Sequence, residues 1–175
     1  MRKSKALGSL LVAVSLVATG CGVSGGPEKT FKKAANERMD HQLDLFEIAD
    51  TYQNGDSEKA EESAREWADD FNKIQAEYVC KKERTTLDSD DVIGGIKELR
   101  PSDVPSEDDR KEVKKATKDA LKDLEKSDDS DDEAYVKSEH EDFEDLFGGS
   151  RVYMQKEDGD WKVCDDSLSQ GSGLM

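Results

Sequence analysis

The chain has 175 residues, 42 of them acidic and 26 basic, for a formal net charge of −16. So acidic a surface repels nucleic acid and anionic lipid headgroups, because binding either draws on lysine and arginine. Large aliphatic side chains are sparse, which limits the chain to one small domain with a thin core.

Arg2, Lys3 and Lys5 open the chain, and residues 6–17 form an apolar run of 12. A membrane-spanning helix needs roughly 20 such residues, so the run has the shape of a secretory signal. Ala18, Thr19 and Gly20 supply the small residues that signal processing requires, and Cys21 follows. The stretch from Ala18 to Cys21 resembles the lipobox of bacterial lipoproteins, with Ala18 where leucine is commoner. The resemblance implies that residues 1–20 are removed and that the Cys21 thiol carries a diacylglyceryl group, its freed amine often being acylated too. Two or three acyl chains anchor a protein stably where a single chain does not. The rival is an ordinary secreted protein with Cys21 free or paired. On the lipobox reading, residues 21–29 are a lipidated cysteine and a flexible Gly, Ser and Pro tether. The protein then sits on the extracytoplasmic face of a cell membrane, held by lipid.

A single acidic domain is expected over residues 30–166. The spacing of Phe31, Ala35, Met39, Leu43, Phe46 and Ala49 predicts a helix over about 28–53, with Leu45, Ile48 and Tyr52 widening its apolar stripe. Asn54-Gly55 is a stop and turn signal, and Asp56 or Ser57 can cap the next helix. Ala60, Ala64, Trp67, Phe71, Ile74 and Tyr78 then define a second amphipathic helix. So short a turn between the two predicts an antiparallel helical hairpin.

Residues 90–99 suggest a short helix, weakened by Gly94-Gly95. Ser106 and Asp109 form an acidic capping box for a helix reaching about residue 126. The acidic run at residues 127–133 invites a calcium reading, but it lacks the glycine that an EF-hand loop needs, so a solvated acidic loop is expected. Residues 134–147 read as a further helix through Val136, His140, Phe143 and Phe147. Period two returns after Gly149: Asp158-Gly159 predicts a β-hairpin with Val152, Met154, Trp161 and Val163 on one face. Residues 167–175 read as a disordered tail. The fold expected is mainly α with a C-terminal β-hairpin, an α+β arrangement of a helical hairpin packed against a small antiparallel sheet.

With Cys21 assigned to lipid, Cys80 and Cys164 remain. Two leftover cysteines in an exported protein most often pair. A link closing a loop of about 84 residues contributes roughly 4–5 kcal/mol in entropy models. Two free thiols or a metal pair are the alternatives. Residues 156–165 are similar to the last strand of small exported bacterial proteins with a nuclear-transport-factor-like, cystatin-like fold. That resemblance implies helices packed in the curve of an antiparallel sheet, and a cysteine after the early helices paired with one on the last strand. It requires further strands between the second helix and the hairpin, where residues 90–147 read mainly as helix or loop.

No nucleophile–histidine pair, phosphate loop or zinc-ligand spacing stands out, so we expect no enzyme activity, metal or cofactor. His41 and His140 read as surface or boundary residues. The rings of Trp67, Phe71 and Tyr78, facing Trp161, could line a ligand pocket, with core packing the favoured alternative. The function expected is a binding or interaction module with a cationic or protein partner. A small-ligand carrier or cavity enzyme on the cystatin-like fold, and a structural spacer, are the alternatives.

Overall fold

The computed structural model describes residues 25–128 and 130–168. The leader, Cys21 and residues 169–175 lie outside them. Helix α1 spans Pro27–Gln53, with proline in its first turn, where the missing N–H costs nothing. It therefore takes in the end of the expected tether. Gly55, at φ 92°, turns the chain. Helix α2, Ser57–Tyr78, begins under the Asp56 side chain, which accepts a hydrogen bond from the Lys59 amide. The apolar stripes of the two helices face each other as their spacing predicts, Phe31 and Tyr78 being fully buried at one end and Ala49, Ala60 and Ala64 at the other.

Helix α3, Ser89–Glu98, forms despite its glycines. Val92, Ile93 and Ile96 bury against Ile48, Ala64, Trp67 and Phe71, and this burial outweighs the ~1 kcal/mol that each mid-helix glycine costs relative to alanine. Helix α4, Glu107–Ala120, starts on the expected capping box, with the Ser106 amide 3.1 Å from the Asp109 carboxylate and the Asp109 amide 3.2 Å from the Ser106 hydroxyl.

The largest departure from the sequence reading follows. Helix α4 stops at Ala120 rather than near residue 126, Leu121 is fully buried, and residues Glu125–Ser127 form strand β1. The acidic run closes a hairpin to strand β2, Glu133–Lys137, which replaces the first part of the helix expected at 134–147. In β2, Ala134 and Val136 are buried and Tyr135 is only half-buried, the alternation of a strand with one face on the core. Only Asp142–Phe147 is helical, as α5, which presents Phe143 and Phe147 to Phe31. Strands β3, Arg151–Glu157, and β4, Asp160–Val163, are the expected hairpin. Asp158 and Gly159 both have positive φ, and Met154 faces Val163. The sheet is an antiparallel meander in the order β1-β2-β3-β4. After α2, Val79 bridges to Val163 in parallel and the Cys80 amide donates to the Val163 carbonyl at 2.9 Å, which covers the edge of β4. Ser167 and Leu168, assigned to the tail by sequence, are buried in a short turn, Asp166–Leu168.

The fold is thus α+β, with the sheet against the first part of α1 and the last turn of α2. The far halves of α1 and α2 pack with α3, and Met39, Leu43 and Phe46 meet the α4 side at Val104 and Val113.

Candidate functional site

Cys80 and Cys164 lie at disulfide distance, with Cα atoms 5.0 Å apart, where the end of α2 meets the end of β4. The Lys81 amide donates to the Glu157 carboxylate, and the Lys81 ammonium pairs with Asp158 at 2.9 Å, so the junction is also held by polar contacts. Cys21 lies outside the described residues.

The four rings considered for a pocket are divided. Trp67 and Phe71 belong to the cluster around α3, whereas Tyr78 is buried at the sheet end and Trp161 packs partly against that core. Lys33 lies 5.3 Å from the Tyr78 ring centroid, and Lys156 lies 5.2 Å from that of Trp161. Trp67, Phe71 and Tyr78 are buried, Trp161 is half-buried, and of the four only Trp67 borders a sizeable groove.

That groove, of about 360 Å³, runs along one side of the α1–α2 pair. From α1 come His41, Asp44, Glu47, Ile48 and Thr51, which recur at the three- and four-residue spacing of one helix face. From α2 come Lys59, Ser63, Glu66, Trp67 and Asp70. Because the helices are antiparallel, His41 lies opposite Trp67 and Asp70, and Thr51 lies towards Lys59. Its volume is at the small end of the ~300–1,000 Å³ typical of ligand clefts.

A reciprocal clasp closes its floor. The Trp67 indole N–H donates to the His41 carbonyl at 2.6 Å, and His41 Nε2 sits 2.8 Å from the Trp67 carbonyl. The two rings stack with centroids 4.1 Å apart. Phe71 completes the cluster, its ring 5.9 Å from that of Trp67 and 6.2 Å from that of His41, and the Arg38 guanidinium lies over Phe71 at 5.2 Å. A carbonyl can only accept, so Nε2 carries the histidine proton and Nδ1 is a lone-pair acceptor. Nδ1 is buried without a hydrogen-bond partner among the described residues. Burial lowers the His41 pKa below its ordinary value; the Trp67 carbonyl works against this and the nearby Arg38 charge adds to it.

The walls are acidic. Burial raises the Asp44 pKa, with further repulsion from Glu47 and Asp40 and partial relief from Lys114. Asp70 pairs with Lys73 at 2.7 Å. Among the described residues, Asp44, Glu47 and Glu66 have no such partner. Sequence reasoning placed His41 at the surface or a boundary, whereas it is buried, and did not find this site. Its signal, polar residues beside Ile48 and Trp67 on two helices, becomes visible only once the register between the helices is known.

Among the described residues, no cluster of three or more His, Cys, Asp or Glu side chains could hold a metal ion. No described helix is long and apolar enough to cross a membrane. No protein-family model, curated protein or solved structure matches the chain.

Proposed function

We propose that the chain is a bacterial lipoprotein of the cell envelope, anchored through lipid on Cys21, and that its acidic domain is a binding module displayed on the extracytoplasmic face. The single observation behind the binding role is the groove between α1 and α2, whose walls carry five charged side chains, four of them acidic: Asp44, Glu47, Glu66 and Asp70, with Lys59 at one end. The leader and the residues before Cys21 support the anchor. Helix α1 starts six residues after Cys21, and His41 lies roughly 20 Å further along that helix. The groove is therefore separated from the tether by the sheet end of the domain. So acidic a surface has no means of its own to hold an anionic membrane, which leaves that task to lipid. Pairing of Cys80 with Cys164 suits the same oxidising compartment. The carrier or enzyme reading, with a cavity lined by all four rings, has less support because those rings belong to two separate clusters.

The anchor is tested by replacing Cys21 with alanine in cells labelled with a fatty acid. The expected result is loss of label and release from the membrane fraction. A variant that stays membrane-bound would defeat this reading.

A further inference from the structure

We propose that Asn54 is a site of spontaneous covalent modification: its side-chain amide is lost through a cyclic imide formed with Gly55, leaving aspartate and isoaspartate in the turn between α1 and α2. The chain has three asparagines, and their surroundings differ. Asn36 lies inside α1, where its Nδ2 donates to the Lys32 carbonyl at 2.7 Å, and a glutamate follows it. Asn72 lies inside α2, where its side chain exchanges two hydrogen bonds of 3.0 Å with the Leu87 backbone, and a lysine follows it. Asn54 is the one asparagine that stands exposed at a helix end and the one that precedes a glycine.

The chemistry follows from that placement. The Gly55 nitrogen attacks Asn54 Cγ and an N–Cγ bond forms. The Cγ–Nδ2 bond breaks, and the proton of the attacking nitrogen leaves with Nδ2 as ammonia. Water then opens the five-membered ring. Opening at Cγ gives aspartate, and opening at the backbone carbonyl of residue 54 gives isoaspartate, whose main chain runs through Cβ and Cγ. Water is the only co-reactant, and nothing is oxidised or reduced. Glycine has no Cβ to crowd the attack, and nothing lies within 4 Å of where a Cβ would stand on Gly55. Asp158-Gly159 shares the glycine, but there Lys81 pairs with Asp158 at 2.9 Å and holds it as an ionised carboxylate, a poor electrophile.

The fold sets the rate. Gly55, at φ 92°, closes a Schellman motif: its amide donates to the Tyr52 carbonyl at 3.0 Å, and the Asp56 amide donates to the Thr51 carbonyl at 3.3 Å. With ψ of 2° at Asn54, the Gly55 nitrogen is turned away from Cβ. Ring closure needs a rotation about the Cα–C bond that pulls Gly55 off Tyr52. Conversion therefore waits on fraying of the last turn of α1, a local opening that leaves the cores intact. The product in turn weakens that end. A new carboxylate stands between Asp50 and Asp56 at the negative end of the α1 dipole, and an isoaspartyl main chain, one carbon longer, no longer fits the Schellman spacing.

Full-length protein in detergent is held in mildly alkaline buffer, which favours the deprotonated amide nitrogen, and is sampled over weeks by peptide mass mapping. The Asn54 peptide should gain the mass of an amide-to-acid change and separate into two forms, aspartyl and isoaspartyl, while Asn36 and Asn72 keep their amides. In guanidinium chloride strong enough to unfold the chain, Asn54 should convert about tenfold to hundredfold faster, the modest protection that a helix end gives. Hydrogen exchange in the isoaspartyl form should be faster at the Gly55 and Asp56 amides than in fresh protein, and unchanged at Val163. Asn54→Gln, whose ring would have six members, should stay unconverted. The modification is overturned if Asn36 or Asn72 converts as fast as Asn54 in the folded chain, or if aspartate is the sole product, which would mean direct hydrolysis. Equal rates for Asn54 in folded and unfolded chain would overturn the gating by α1, and unaltered exchange at Gly55 would overturn the effect on the turn. None of these results bears on the anchor, which stands or falls on Cys21→Ala.

Discussion

The two ends of the domain solve the shortage of large aliphatic residues differently. At the sheet end, Phe31, Leu121, Val136, Val152, Met154 and Val163 are completely buried, and the Cys80–Cys164 junction ties the end of α2 to the last strand. At the helical end, α1 and α2 approach through Ala49, Ala60, Ala64 and Ala68, and Trp67 and Phe71 supply most of the bulk. Alanines permit close helix contact but bury little area each, so the second core is thinner. The thinner end is also the one with an open groove and unpaired carboxylates. The end with the larger completely buried side chains is thus also the one where two cysteines lie at disulfide distance.

The largest effect expected from breaking this arrangement is at the cross-link. Cys80→Ser with Cys164→Ser should cost about 2–5 kcal/mol, because the unfolded chain regains the entropy of a long loop. For a domain of this size that is a fall in Tm of roughly 6–15 °C. Hydrogen exchange should place the loss first at the sheet end, at the amides around Val152 and Val163, since the Val79–Val163 bridge is held at that junction. An unchanged melting curve on reduction, or equal loss of protection at both ends, would show that the link does not distinguish them.

A gain is expected at the other end. Gly94 sits mid-helix in α3 and exposed, and a Cβ added there meets nothing within 4 Å. Gly94→Ala should stabilise the chain by about 1 kcal/mol, by restricting the unfolded chain and favouring helix. Urea unfolding measures this directly. No gain would mean that α3 is not the weakly determined element its sequence implies.

Legibility in the sequence followed the same division. The stripes of α1 and α2, the Ser106–Asp109 box, the Asp158-Gly159 turn and the cysteine pair were all readable, because each rests on local spacing or simple counting. Strands β1 and β2 were missed. Val136, Phe143 and Phe147 satisfy a helical spacing as one continuous stripe, but in the structure Val136 belongs to a strand and the two phenylalanines to a separate short helix. What decides is pairing between Val136 and Val152, a contact between distant segments. The groove was hidden for a similar reason. The His41–Trp67 clasp joins residues 26 apart, and nothing local to His41 announces it.

That clasp also gives the helical end a pH dependence that the sheet end's cross-link lacks. Burial and the Arg38 charge hold the folded-state pKa of His41 below its ordinary 6.5. As pH falls through about 6.5, the unfolded chain takes up the proton first, and the fold, with no acceptor for a proton on Nδ1, resists it. The contribution of neutral His41 is therefore complete above that pH and is lost progressively below it, until the depressed folded pKa is reached. Asp44 acts with the opposite sign, since its raised pKa lets the folded chain bind a proton before the unfolded one does. Comparing the wild type with His41→Gln isolates the histidine, because glutamine keeps an amide donor within reach of the Trp67 carbonyl and does not titrate. Urea unfolding at about pH 7.5 and about pH 5.5 should show a larger loss in the wild type than in His41→Gln. Equal losses would mean that protonated His41 is tolerated in place, and the helical end would then be no more sensitive to acid than the end held by Cys80 and Cys164.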